Sequence, residues 1–120
     1  MNETAKRTVK IAAILVSLPL AAYQLYFFIL PAVTVVNTTG SLIENARVDL
    51  PNSGLDFGDI GSGMENTIYY SLEQSDGEYQ YQITIQGGLV LSGTCGYVTN
   101  NELHKRLVIR VQESEVICDM

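Results

Sequence analysis

The sequence predicts an all-β fold: a small antiparallel β-sandwich of about seven strands, preceded by one N-terminal transmembrane helix. Three observations carry this expectation. Residues 11–43 contain no formally charged side chain and follow Lys6, Arg7 and Lys10. After Pro31, apolar residues recur with period two in short segments, as in half-buried strands. Breaks rich in glycine, asparagine and serine separate those segments at turn spacing.

The chain divides into a cytoplasmic tail (1–10), a transmembrane helix acting as signal anchor (11–31) and an extracytoplasmic domain (32–120). At about 1.5 Å rise per residue, a helix over 11–30 matches the ~30 Å hydrocarbon layer. Its clearly polar side chains are Ser17 and Gln24, which, with Ala21 and Ala22, suit contacts with another membrane helix. Tyr23, Tyr26, Phe27 and Phe28 crowd toward its far end, where aromatic rings favour the membrane interface, and Pro31 marks the stop. A cleaved signal peptide is the rival reading. Cleavage after Ala22 would put Leu20 where a small residue is wanted and leave a poorly soluble Tyr-Gln-Leu-Tyr-Phe-Phe terminus, so an uncleaved anchor is expected. The basic flank places the N-terminus in the cytoplasm and the domain outside, in a bacterial periplasm.

Alternation then gives the strands in order. Val33 and Val35 lead, followed by Ala46, Val48 and Leu50 on one parity. Residues 55–60 form another short strand or an irregular edge. Ile68, Tyr70 and Leu72 come next, and the clearest run is Tyr79, Tyr81, Ile83 and Ile85 against Glu78, Gln80, Gln82 and Thr84. Leu89, Leu91 and Cys95 share an inward parity, as do Leu107, Ile109 and Val111, and finally Val116 and Cys118. Gly87-Gly88 suits a two-residue hairpin needing positive φ at both positions.

Charge and cysteines narrow the function classes. The net charge is −6, and the tail carries +2 from Lys6, Arg7 and Lys10 against Glu3, so the rest carries −8. Nucleic acid is excluded as a partner, because phosphates demand basic patches that Arg47, Lys105, Arg106 and Arg110 do not make. Cys95 and Cys118 are the two cysteines, and in an oxidising compartment an isolated pair forms a disulfide. With His104 they fall short of a zinc site, and no Cys-x-x-Cys suggests redox catalysis.

The segments Val36-Asn37-Thr38-Thr39-Gly40 and Ala46-Arg47-Val48 are similar to the opening strands of small immunoglobulin-like or transthyretin-like β-sandwiches carried on one bacterial membrane helix. Gly58-Asp59-Ile60-Gly61-Ser62-Gly63 resembles the glycine-rich turn that often follows. The chain departs from the antibody pattern, lacking tryptophan and setting its cysteines too close for the usual inter-sheet bridge, so antibody-type recognition is not implied.

No constellation reaches a recognisable chemistry. Asp56-Phe57-Gly58 matches a kinase tripeptide by chance, and Asp56, Asp59 and Glu65 match no calcium loop. His104 lacks a nucleophile motif and reads as a surface residue. Asn37-Thr38-Thr39 is a sequon that a bacterial host would not use. Tyr70, Tyr79 and Tyr81 belong to the core by parity, leaving Tyr69 on an outward face and Tyr97 in a loop as candidate partner contacts.

The expectation is a non-enzymatic, single-pass inner-membrane protein without cofactor or metal. Its partners are the bilayer, through residues 11–31, and another membrane or periplasmic protein bound by the sandwich, as in an accessory subunit of an envelope complex. An immunity protein opposing a basic periplasmic toxin is the second reading. A hydrolase or small-ligand domain is the third, and needs a pocket near His104.

Overall fold

The computed structural model describes residue 19 and residues 21–120. A helix α1 over 21–29 leads through Leu30 and Pro31 into eight strands. These are β1 (Ala32–Asn37), β2 (Ile43–Leu50), β3 (Ser53–Ile60), β4 (Glu65–Tyr69), β5 (Gly77–Ile85), β6 (Leu89–Val98), β7 (Arg106–Val111) and β8 (Val116–Asp119). No helix among the described residues is long and apolar enough to cross a membrane. Much of the expected 11–31 span, Ser17 included, lies outside the described residues.

Two four-stranded sheets stack, one in the order β4-β1-β7-β8 and the other β3-β2-β5-β6. The expectation of about seven strands holds, with eight observed, while its purely antiparallel pairing is corrected. Residues 53–60 form the full strand β3, an edge strand whose register against β2 slips near Gly58, where φ is +67°. And β1 pairs with β7 in parallel, from Ala32 opposite Arg106 to Asn37 opposite Val111. Both strands start from the helix end of the molecule and run the same way. The long chain between them supplies the crossover that a parallel pair requires.

The core lies between the sheets. Val33, Val35, Leu107, Ile109 and Val111 from one sheet face Ala46, Val48, Leu55, Phe57, Ile83 and Ile85 from the other. Burial of each large aliphatic side chain stabilises by roughly 1.5–3 kcal/mol. The predicted alternation holds on β1, β2, β5 and β7, strands with one face in this core. Tyr81, expected inside, is only partly buried, and packs against the core's rim.

β6 departs from the expected parity at both ends. Leu89, expected to face inward, is 47% exposed beside the hairpin. That hairpin has three residues, 86–88, not two: Ile85 pairs with Leu89, while Gly87 and Gly88 both take positive φ. Further along, Glu78 pairs with Tyr97 but Tyr79 with Cys95, so Gly96 is a bulge residue, with φ +28°. The extra residue turns Cys95 and Val98 both inward. Tyr97, expected in a loop, is therefore on the strand and outward, 69% exposed.

Cys95 and Cys118 form the predicted disulfide, with Cα atoms 6.0 Å apart. It joins the edge strand β6 of one sheet to the edge strand β8 of the other and closes that side of the sandwich. On the opposite side, Asn66 Nδ2 on β4 donates to Phe57 O on β3, at 3.2 Å.

The hydroxyls of Tyr70 and Tyr79, both buried, share a hydrogen bond of 2.5 Å. Burial, and then the bond to Tyr79, push the Tyr70 phenol far above its ordinary range, so it stays neutral. Tyr79→Phe strands the Tyr70 hydroxyl and is expected to cost about 1–3 kcal/mol. Replacing both tyrosines by phenylalanine is expected to cost less than the two single losses together. Urea denaturation of the four forms measures this coupling.

Candidate functional site

The described residues with the most concentrated polar and aromatic contacts lie where α1 meets the sandwich. A helix ends with carbonyls that no helical N–H can reach. Here Tyr26 O is taken by Leu30 N, at 3.1 Å, which leaves Phe27, Phe28, Ile29 and Leu30. The loop between β6 and β7 and the start of β7 supply donors for all four. The backbone N–H of His104 donates to Ile29 O at 2.6 Å. The Arg106 guanidinium donates to Leu30 O at 2.5 Å and to Phe27 O and Phe28 O at 3.3 Å each.

His104 Nδ1 lies 2.6 Å from Phe28 O. A carbonyl can only accept, so Nδ1 carries the proton in this contact. The imidazole stacks on the Phe28 ring, with centroids 4.1 Å apart. His104 adopts φ +52°, a left-handed conformation that non-glycine residues seldom take, and in it the backbone N–H meets the helix end. The Arg106 guanidinium also sets positive charge beside the negative end of the helix dipole, which is favourable.

Aromatic contacts extend the joint. Tyr69, 41% exposed, lies edge-on to Phe27 with ring centroids 5.2 Å apart, and the Arg106 guanidinium stands 5.5 Å from its ring centre. Tyr70 N–H donates to Pro31 O, and Ala32 N–H to Lys105 O. Behind the joint, Lys105 Nζ pairs with Glu102 at 2.7 Å and also donates to Tyr97 O. Partial burial pushes the Glu102 carboxyl up, but Lys105 and the Thr99 N–H outweigh it and hold the group below its usual range.

Replacing Arg106 by alanine frees the Leu30 and Phe27 carbonyls and leaves Phe28 O to His104 alone, and is expected to cost about 2 kcal/mol, the range of charge-assisted hydrogen bonds. Arg106→Lys should recover little of it, since one ammonium cannot reproduce the planar fork. Thermal unfolding of the full chain reads both effects.

Of the expected site residues, Tyr69 alone belongs to this joint. Tyr69 and Tyr97 stand on β4 and β6, which lie at opposite sides of the sandwich, so they form no single patch. Gln24 is exposed on α1. A groove of about 480 Å³ lies between α1 and β4, lined by Tyr26, Leu30 and residues 69–73. His104 does not line it, and its ring is committed to Phe28. Among the described residues, no three His, Cys, Asp or Glu side chains gather to hold a metal. Asp56 Oδ1 instead accepts the Gly58 N–H at 2.9 Å, an Asx turn.

Asn37 is fully buried, and its amide nitrogen donates to Ser41 O and Ile60 O, so the sequon is a structural element rather than a glycan acceptor. Sequence reasoning missed the roles of His104 and Arg106. The available signal was a helix end needing donors, but the donors lie more than 70 residues further along the chain.

The two stacked sheets define a β-sandwich. No family model matches the chain, and no curated protein matches it. A solved structure titled "NMR structure of the protein from Eubacterium rectale" is similar, with a TM-score of 0.55 and 12% identity over 76% of this chain and 87% of that one. At that identity the likeness is one of fold alone.

Proposed function

We propose that the chain is a non-enzymatic, single-pass membrane protein of the bacterial envelope, anchored by residues 11–31, whose periplasmic sandwich binds a protein partner as an accessory subunit. The observation that carries this reading is the direct joint. All four free carbonyls at the end of α1 are held by His104 and Arg106, while Tyr23, Leu25, Tyr26 and Phe28 of the same helix stay exposed. Such a helix, aromatic and unburied by its own domain, suits the interfacial end of an anchor. The disulfide agrees with an oxidising compartment.

For the protein partner, the edge strands supply the support. β3 carries Asp56 and Asp59, β4 carries Glu65, and β8 is four residues long. Charge and shortness guard such edges against pairing with other chains. β6 runs for ten residues without a charged side chain, which suits addition of a partner's strand. The reading of the sandwich as immunoglobulin-like or transthyretin-like remains part of this proposal.

The test is affinity purification of the tagged full chain from mild detergent, beside a version whose residues 11–30 are replaced by an unrelated anchor. A stoichiometric partner kept by both versions supports binding by the sandwich. Loss on the swap moves the contact into the helix, and no partner in either version overturns the subunit reading.

A further inference from the structure

We infer that the helix-side rim of the sandwich is a second membrane contact, with Leu103 and Tyr69 seated in the outer lipid interface. The inference rests on the anchor reading and adds a surface to it. On that reading, a helical span from Ile11 would reach Ile29 after roughly 27 Å at about 1.5 Å per residue, close to the ~30 Å hydrocarbon thickness. Ile29 would then mark the outer boundary of that layer.

The joint fixes what else lies at that depth. His104 is hydrogen-bonded to Ile29 O and stacked on Phe28, so its neighbour Leu103 stands within two Cα steps, roughly 8 Å, of the same level. The headgroup zone extends about that far beyond the hydrocarbon. Leu103 is 65% exposed, a large aliphatic side chain on an otherwise polar loop. Tyr69 touches Phe27, two residues deeper on the helix, and exposes the rest of its ring beside Tyr26 in the groove. The exposed aromatic surface of α1 therefore continues onto the sandwich without a linker between them.

The contact is apolar and aromatic rather than electrostatic. Arg106 is already engaged by helix carbonyls and Lys105 by Glu102, so neither is free for a headgroup phosphate. The part of the chain beyond the tail carries −8 and gains nothing from anionic lipid.

The chain contains no tryptophan, so each substitution creates a single reporter. The full chain is reconstituted in phosphatidylcholine vesicles carrying bromine on the upper acyl carbons, with Leu103→Trp, Tyr69→Trp, Tyr23→Trp or Val90→Trp. Val90 is exposed near the far end of β6 and serves as the water-facing control. Leu103→Trp and Tyr69→Trp are expected to be quenched several-fold more than Val90→Trp, with blue-shifted emission, and equally with or without anionic lipid. If both match Val90→Trp while Tyr23→Trp is quenched, the rim stands clear of the bilayer: the inference falls and the anchor reading survives. An unquenched Tyr23→Trp overturns the anchor reading and this inference together. Quenching at Leu103→Trp that appears only with anionic lipid overturns the apolar contact in favour of a charge-driven one.

Discussion

Replacing Cys95 and Cys118 together by serine is expected to lower the stability of the sandwich by roughly 3 kcal/mol, the chain-entropy value for a loop of this length. For a domain of about 90 residues, that corresponds to a melting temperature lower by on the order of 10–20 °C. The loss has a structural direction. β8 is held by four residue pairs to β7 and by an Arg110–Asp119 ion pair at 2.9 Å whose side chains are about half exposed. An exposed pair of that kind contributes little, so the disulfide is the main tie between β8 and the opposite sheet. Hydrogen exchange in the double variant should therefore accelerate first in β8 and in the outer amides of β7, while β2 and β5 stay protected. Calorimetry gives the size of the effect, and exchange shows whether the loss begins at β8. Uniform acceleration across both sheets would mean that β8 does not open separately.

How much of this fold could be read in advance follows from what period two encodes. Alternation reports which face of a strand is buried, and Tyr79, Ile83 and Ile85 on β5 are buried as read because that central strand has one core face and one wet face. Alternation does not report partners, so the parallel pairing of β1 with β7 left no trace in either segment. Nor does it survive an inserted residue: Gly96 resets the phase of β6, and Tyr97 moves from an expected loop to an outward strand position. The cysteine pairing was legible from there being two cysteines on inward parities, which does not depend on strand order. The joint at α1 was not. The β6–β7 loop looks like a surface turn, and His104 like a surface histidine, until the helix end it holds is placed beside it. Tyr69 was identified as exposed, but much of its ring is taken up by Phe27 and Arg106.

Asn37→Asp is expected to be among the most destabilising single substitutions in the chain, at about 3–5 kcal/mol at neutral pH, the range for an uncompensated buried charge. The wild-type amide is used on both sides. Nδ2 donates to Ser41 O at 2.8 Å and to Ile60 O at 2.9 Å, and Oδ1 accepts from the Thr39 N–H at 3.0 Å and the Thr39 hydroxyl at 2.6 Å. The backbone of Asn37 adds bonds to Met64 O and from Gly63 N, and Ser62 Oγ donates to Thr39 O. The buried side chain thus ties the β1–β2 turn to the end of β3, while the Asn37 backbone and Ser62 hold the β3–β4 turn, at the end of β1 remote from α1. A carboxylate of the same size keeps the two acceptor contacts but turns a second oxygen toward two carbonyl oxygens, with no proton between them. Its folded pKa must rise above the unfolded value near 4, so the variant loses stability as pH climbs through that value and recovers part of it on acidification. The deficit measured by urea denaturation should therefore be smaller at about pH 4 than at pH 7. Asn37→Ala removes the donors without adding charge, and its deficit should change little over the same interval. A deficit in Asn37→Asp that is equally insensitive to pH would mean that the turn opens to water around the carboxylate, and that the buried amide is not what holds the far end of the sandwich together.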